Sequence, residues 1–265
     1  GLSGSRITGF TLNSMKILIN GSGFRIDHNY FTSTTAATTG VFYDASVTEE
    51  YAIPTGLVDN NTFINGKVDA GGGVMLNNVD WTLPTGLGRG NNALFIEDNV
   101  FTRTITTAGD CLDANYGGSY VFRYNTVSGP YLEVHSVQGV NRAAKTWELY
   151  GNLHNKVVGV DTYYATRLRG GTGVNFFNRA TGNWSNRYIA LDNVRSYSNV
   201  TTFGLCDGTH AGIDGNEDAT GYPCRDQIGR GPDTTLWVSP GGKYTQPLEP
   251  AYFFGNIGDS GAVTV

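Results

Sequence analysis

Five titratable side chains fall at matching places in three short segments. Asp113 ends CLD (111–113), Glu133 and His135 lie in LEVH (132–135), and Arg167 and Arg169 lie in TRLR (166–169). Apolar and polar residues alternate in each, and alternate residues of a strand point to opposite faces. Four further segments share the pattern: ILIN (17–20), VFYD (41–44), VMLN (74–77) and IALD (189–192). Aligned on their last residue, the seven give an outward line of Asn20, Asp44, Asn77, Asp113, His135, Arg169 and Asp192. A parallel line two residues earlier holds Leu18, Phe42, Met75, Cys111, Glu133, Arg167 and Ala190.

Stacked strands lie about 4.8 Å apart, so this alignment puts His135 one strand from both Asp113 and Arg169, and Glu133 about 8 Å from Asp113. Two carboxyls, an imidazole and two guanidiniums at such distances suit acid–base cleavage of a glycosidic bond. Asp113 and Glu133 would divide general acid and base, His135 would tune the proton balance, and Arg167 and Arg169 would hold substrate. Inverting glycosidases keep their carboxyls roughly 6.5–9.5 Å apart to admit a water, and retaining ones about 5 Å, so the spacing fits inversion better. The cations allow a lyase too, with His135 or Arg169 as base. The bland alternative is a set of cross-strand ion pairs, Glu133 with Arg167 and Asp113 with His135, each worth about 0–1 kcal/mol.

Other residues have candidate roles. Glu148 in TWELY occupies a place where an apolar residue is expected, so it is either outward or a second catalytic acid, and it is grouped with the substrate-binding candidates. Tyr116 and Tyr131, with Tyr163, Tyr164, Trp184 and Trp237, are of types that stack on sugar rings or anchor loops. His154 and His210 are isolated, and no metal-ligand spacing of His and Cys occurs. The Asp214–Asp218 run DGNED resembles a calcium loop but lacks the spacing and closing Glu of an EF-hand; no other cofactor is expected. Cys206 and Cys224 flank a polar loop and are either a disulfide, worth about 3 kcal/mol, or two reduced thiols. Cys111 reads as a small core residue.

The elements that must position these residues are short strands. β-Branched and aromatic runs recur between Gly, Asn, Asp, Ser and Thr clusters, with almost no helical periodicity. One unit repeats: FRIDHNYF (24–31), LVDNNTF (57–63), FIEDNVF (95–101), VFRYNTV (121–127) and WELYGNL (147–153), with fainter copies NFFNRA (175–180) and YFFGNI (252–257). It aligns Asn29, Asn61, Asn99, Asn125, Asn152, Asn178 and Asn256 at gaps of 32, 38, 26, 27, 26 and 78 residues, the last three times 26. A repeat of this size marks a solenoid, and the uneven gaps suit loops inserted at one corner of each coil. A parallel β-helix buries amides at each bend, and a stack of Asn satisfies both donor and acceptor from coil to coil. The left-handed backbone that Asn tolerates suits the same bend. The predicted fold is all-β: a right-handed parallel β-helix with an Asn ladder and variable loops.

Composition agrees. The 265 residues include 37 Gly, 15 Tyr and 13 Phe with 15% charged, which suits one β-rich domain over 1–265. The net charge of −5 argues against nucleic acid, and no apolar stretch is long enough to span a membrane.

The coil pattern and Asn ladder, which cover most of the chain, resemble the right-handed parallel β-helix superfamily of pectate lyases, polygalacturonases and phage tailspike depolymerases. ALFIEDNVF (93–101), TRLRGGTG (166–173) and GYPCRDQIGRG (221–231) are similar to stretches of bacterial and viral β-helix repeat proteins. The calcium-site and polygalacturonase motifs of the enzymes are not intact. The resemblance implies a carbohydrate-active surface with a polysaccharide partner, at an extracellular or virion-associated location. The chain enters a strand almost at once at GLSGSRITGFTL, leaving an uncapped coil edge. The expectation is a piece of a longer chain, or a homotrimer like the tailspikes. A rigid rod that binds glycan without cutting it is the non-catalytic alternative.

Overall fold

The computed structural model describes residues 4–19, 21–36, 38–43, 55–71, 82, 93–115, 117–135, 143–160, 162, 164–184, 188–192, 226–234, 246–259 and 261–262. Three sheets run along one axis. The first stacks Arg6–Thr8, Phe24–Asp27, Gly56–Asp59, Leu94–Glu97, Ser119–Arg123, Thr146–Tyr150, Thr172–Phe176 and Tyr252–Phe254. The second begins Thr11–Asn13, Tyr30–Thr32, Thr62–Ile64, Val100–Thr102 and continues through Thr126–Ser128, Leu153–Asn155, Arg179–Thr181 and Ile257–Gly258. A final pairing of Ile257–Gly258 with Gly261–Ala262 is antiparallel. The third stacks Lys16–Ile19, Gly40–Tyr43, Lys67–Asp69, Asp110–Ala114, Tyr131–Val134, Thr166–Leu168 and Ile189–Leu191. Each strand pairs in parallel with its counterpart one coil away, which is a right-handed parallel β-helix.

Alternation fills the interior. Ile26, Val58, Ile96, Phe122 and Leu149 form one buried row of the first sheet. In the second, Phe31 stacks on Phe63 at 4.7 Å and Phe63 on Phe101 at 4.6 Å. Fully burying such a side chain contributes about 1.5–3 kcal/mol.

The ladder stands at every expected Asn. Nδ2 donates to the next Oδ1 from Asn29 to Asn61 (3.1 Å), Asn61 to Asn99 (3.0 Å) and Asn99 to Asn125 (3.1 Å). It continues from Asn125 to Asn152 (3.2 Å), Asn152 to Asn178 (2.9 Å) and Asn178 to Asn256 (3.0 Å). Each Oδ1 also accepts the backbone N–H of the preceding Asn, as Asn99 Oδ1 does from Asn61 at 2.9 Å. Two expectations are corrected. The left-handed residue is the one before the Asn: His28, Asn60, Asp98, Tyr124 and Phe177 have φ of 53–57°, and Gly151 and Gly255 take the same place at 66° and 65°. The 78-residue gap is not three coils, because Asn178 and Asn256 bond directly, and among the described residues the next strand after Ile189–Leu191 is Tyr252–Phe254.

Candidate functional site

The outer face of the third sheet gathers the titratable residues, but in a register different from the one expected. Asp110 pairs with Tyr131 and Leu112 with Leu132, so Cys111 is an extra residue at a bulge. That slip sets Asp113 opposite Glu133, and Glu133 opposite Arg167. The third coil contributes Lys67–Asp69 and not VMLN: Asp69 pairs with Asp113, while Met75 and Asn77 lie outside the described residues. Leu18, Phe42, Asp69, Asp113, Glu133, Arg167 and Ala190 thus form one outward column. His135 follows Glu133 by two residues and reaches back diagonally to Asp113.

Two charged nests result. Lys67 Nζ lies 2.9 Å from Asp113 Oδ2, 3.1 Å from Asp110 Oδ2 and 3.9 Å from Asp69 Oδ2. Lys67 is only 9% exposed, and Phe42 lies beneath its ammonium. In the second nest Glu133, 7% exposed, accepts from Tyr131 Oη at 3.0 Å and meets Arg167 Nη1 at 3.5 Å and Arg169 Nη2. Arg167 Nη2 also holds Asp192 at 2.5 Å, so Asp192 belongs to the network. His135 joins the nests: its Nε2 is 2.9 Å from Asp113 Oδ1 and its Nδ1 is 2.8 Å from Arg169 Nη2.

These surroundings drive neighbouring carboxyls apart. Burial pushes Asp113 up, but the hydrogen bond and charge of His135, with the Lys67 ammonium, outweigh it and hold Asp113 at about 2. Asp69 goes the other way: burial, and then the Asp113 charge, raise it to about 6 although Lys67 opposes them. Burial also raises Asp110, helped by Asp113 and opposed by Lys67. Burial lowers Lys67, yet its aspartates more than reverse this and raise it above the usual lysine value.

The structure therefore brings together Asp113, Glu133, His135, Arg167, Arg169 and Tyr131, and adds Lys67, Asp69 and Asp110. Glu148 is separated from them: it faces outward on the first sheet between Val121 and Val174. Trp184 is buried against Tyr188, and His154 is a core residue. Cys111 is a free, buried thiol. Tyr116, Tyr163, Trp237, His210, Asn20, Asp44, the Cys206–Cys224 pair and the Asp214–Asp218 run lie outside the described residues. Among the described residues no group of three or more His, Cys, Asp or Glu is arranged to hold a metal, and no helix is long and apolar enough to cross a membrane. No known family, curated protein or solved structure matches the chain.

Proposed function

We propose that this β-helix is a polysaccharide hydrolase whose substrate lies across the third sheet. The reading rests on one observation: Asp69 and Asp113 are directly opposed on neighbouring strands, in surroundings that favour the protonated form of one and the ionised form of the other. Two carboxyls pushed apart in this way divide the acid and base roles. Asp69 supplies the proton to the departing glycosidic oxygen, and ionised Asp113 meets the sugar at its anomeric carbon. Strands about 4.8 Å apart suit the roughly 5–5.5 Å separation of a retaining pair, so the sign of the stereochemical expectation reverses with the register. Glu133, locked between Tyr131, Arg167 and Arg169, aligns the cations that hold substrate, and His135 keeps Asp113 ionised and oriented. Such a substrate is met outside cells or at a virion surface.

The test is reducing-end release from a broad polysaccharide panel, with Asp69→Asn and Asp113→Asn compared at equal folded concentration. Loss of general acid–base function costs about 10²–10⁴-fold. Both variants should fall by at least the lower figure, and the first product formed should keep the anomeric configuration. The density of Lys67, Arg167 and Arg169 favours a lyase as second reading; its product absorbs in the ultraviolet through a new double bond. A parent chain that cleaves nothing on the panel leaves the glycan-binding rod.

A further inference from the structure

The outer face of the first sheet carries an aromatic array that the third-sheet cluster does not use. Tyr150, Phe176 and Phe254 occupy one outward column and stack ring on ring, at 4.7 Å with 13° between planes and then at 4.9 Å with 8°. Beside them, at the left-handed turn position, stand Tyr124 and Phe177. Their rings are turned across the stack, Tyr124 at 90° to Tyr150 and Phe177 at 77° to Phe176 and 84° to Phe254. A positive φ is uncommon for a bulky aromatic residue, and here it is the conformation that the turn before each ladder Asn takes in every coil.

The turn column explains how both rings fit. It reads Tyr124, Gly151, Phe177, Gly255, alternating aromatic with glycine coil by coil. A side chain at Gly151 would put its Cβ 2.7 Å from Tyr124 Cδ1, and one at Gly255 would come within 2.4 Å of Phe177 Cδ1 and Cε1. Each ring therefore leans over the bare turn of the next coil. Yet Tyr124 stays 55% exposed and Phe177 65%, so ring surface is left to water. The two are two coils, about 10 Å, apart along the axis, which is the span of a disaccharide in an extended chain.

Charge narrows the occupant. The basic side chains of this face are matched to acids: Arg123 to Glu97 at 2.5 Å, Arg25 to Asp59 at 2.7 Å and Arg6 to Asp27 at 2.5 Å. Arg123 also donates to Tyr150 Oη at 2.8 Å and lies over the Tyr124 ring. Toward the lower-numbered coils the array runs into a cleft of about 480 Å³ lined by Leu57, Phe95, Glu97 and Arg123, within the roughly 300–1,000 Å³ usual for ligand sites. A face of spaced rings whose described basic side chains are engaged by acids suits an uncharged chain whose sugar rings present C–H faces. We propose that Tyr124 and Phe177 form a binding platform for an extended, uncharged glycan that runs along the rod on the first sheet. The platform stands whether or not the third sheet cleaves anything.

The experiment is calorimetric titration of the whole chain carrying Asp113→Asn, with neutral hexasaccharides of cellulose, xylan, chitin and laminarin type and an oligogalacturonate for contrast. At least one neutral hexasaccharide should bind, and the acidic one should bind at least tenfold more weakly. Tyr124→Ala and Phe177→Ala should each weaken the neutral ligand about tenfold with the melting temperature little changed, since both rings are exposed. Gly151→Ala, which leaves both aromatics in place but displaces the Tyr124 ring, should weaken it as well. Absence of binding by any neutral hexasaccharide, or equal affinity in parent and Tyr124→Ala/Phe177→Ala, overturns the proposal. So does light scattering in which the parent self-associates through this face and the double variant does not, for the array is then an interface between copies.

Discussion

A single proton on Asp69 separates the functional reading from a static salt-bridge network. Asp69 takes up its proton at about 6 in the folded chain against 3.8 as a free side chain, while Asp113 is shifted down to about 2. A carboxyl that holds its proton more tightly when folded stabilises the fold below its unfolded value and loses that contribution as pH rises through the folded one. Asp113 has the opposite sign: its contribution is present above 3.8 and is lost as pH falls toward 2. Asp69→Asn should therefore gain melting temperature relative to the parent between pH 4 and pH 7. A difference that stays flat across that range means the Asp69 carboxyl is ionised throughout. His154 offers an independent titration. Its ring is buried in the second-sheet core, its Nδ1 meets no partner among the described residues, and burial pushes it from 6.5 down to about 3. Stability held above pH 6.5 is then lost as pH falls toward 3, by an amount on the order of a few kcal/mol. His154→Leu should remove that limb of the melting-temperature profile, and an unchanged acid slope would show that the ring is not the group responsible.

At the scale of the coil, the Asn rung is the unit to break. Asn125 Nδ2 donates to Ile96 O at 2.9 Å, Arg123 O at 3.0 Å and Asn152 Oδ1 at 3.2 Å, and its Oδ1 accepts from Asn99. Asn125→Ala strands several of these buried groups, each costing about 1–3 kcal/mol. A fall of roughly 5 °C or more in melting temperature is expected; a variant that melts with the parent removes the ladder as a source of stability. This layer was legible in the sequence, because the repeat unit carries its Asn at a fixed place and each Asn side chain bonds the Asn of the neighbouring coil. The third sheet was less so. Its register turns on the bulge at Cys111, and because Cys111 and Leu112 are both apolar the alternation does not show which of them is the extra residue. The missed strand Lys67–Asp69 did leave a trace. It begins six residues after Asn61, as Tyr131 begins six after Asn125, but VMLN carries the longer apolar run. Asp69 was lost with that strand, although its partner Asp113 was found. Glu148 is marked as unusual by composition, and sheet membership shows that it takes the outward alternative, on the first sheet and away from the third-sheet cluster.

Over the whole molecule, the described segments 226–234 and 246–251 are tied to each other and to the rod by a small buried clasp. Gln246 Oε1 accepts from the Asp226 N–H at 2.7 Å, while its Nε2 donates to Asp226 Oδ1 at 3.2 Å and Gly231 O at 2.9 Å. Asp226 O in turn accepts from the Gly171 N–H at 3.1 Å, on the turn leading into Thr172–Phe176. Gln246→Ala should loosen this clasp without unfolding the coils, read as faster protease cleavage near residues 226–249 at nearly constant melting temperature. Equal cleavage of variant and parent would place the anchoring elsewhere.

The ladder also gives the rod a direction. All six side-chain rungs donate from the lower-numbered Asn to the higher, so their amide dipoles point the same way and none cancels another. As with the aligned peptide units of an α-helix, such a row leaves partial positive charge at its N–H end and partial negative charge at its carbonyl end. A coil can join the row only by presenting a carbonyl oxygen at one end or an N–H at the other, so growth at the two ends obeys different chemistry. The ladder is therefore polar, electrically unlike at its two ends.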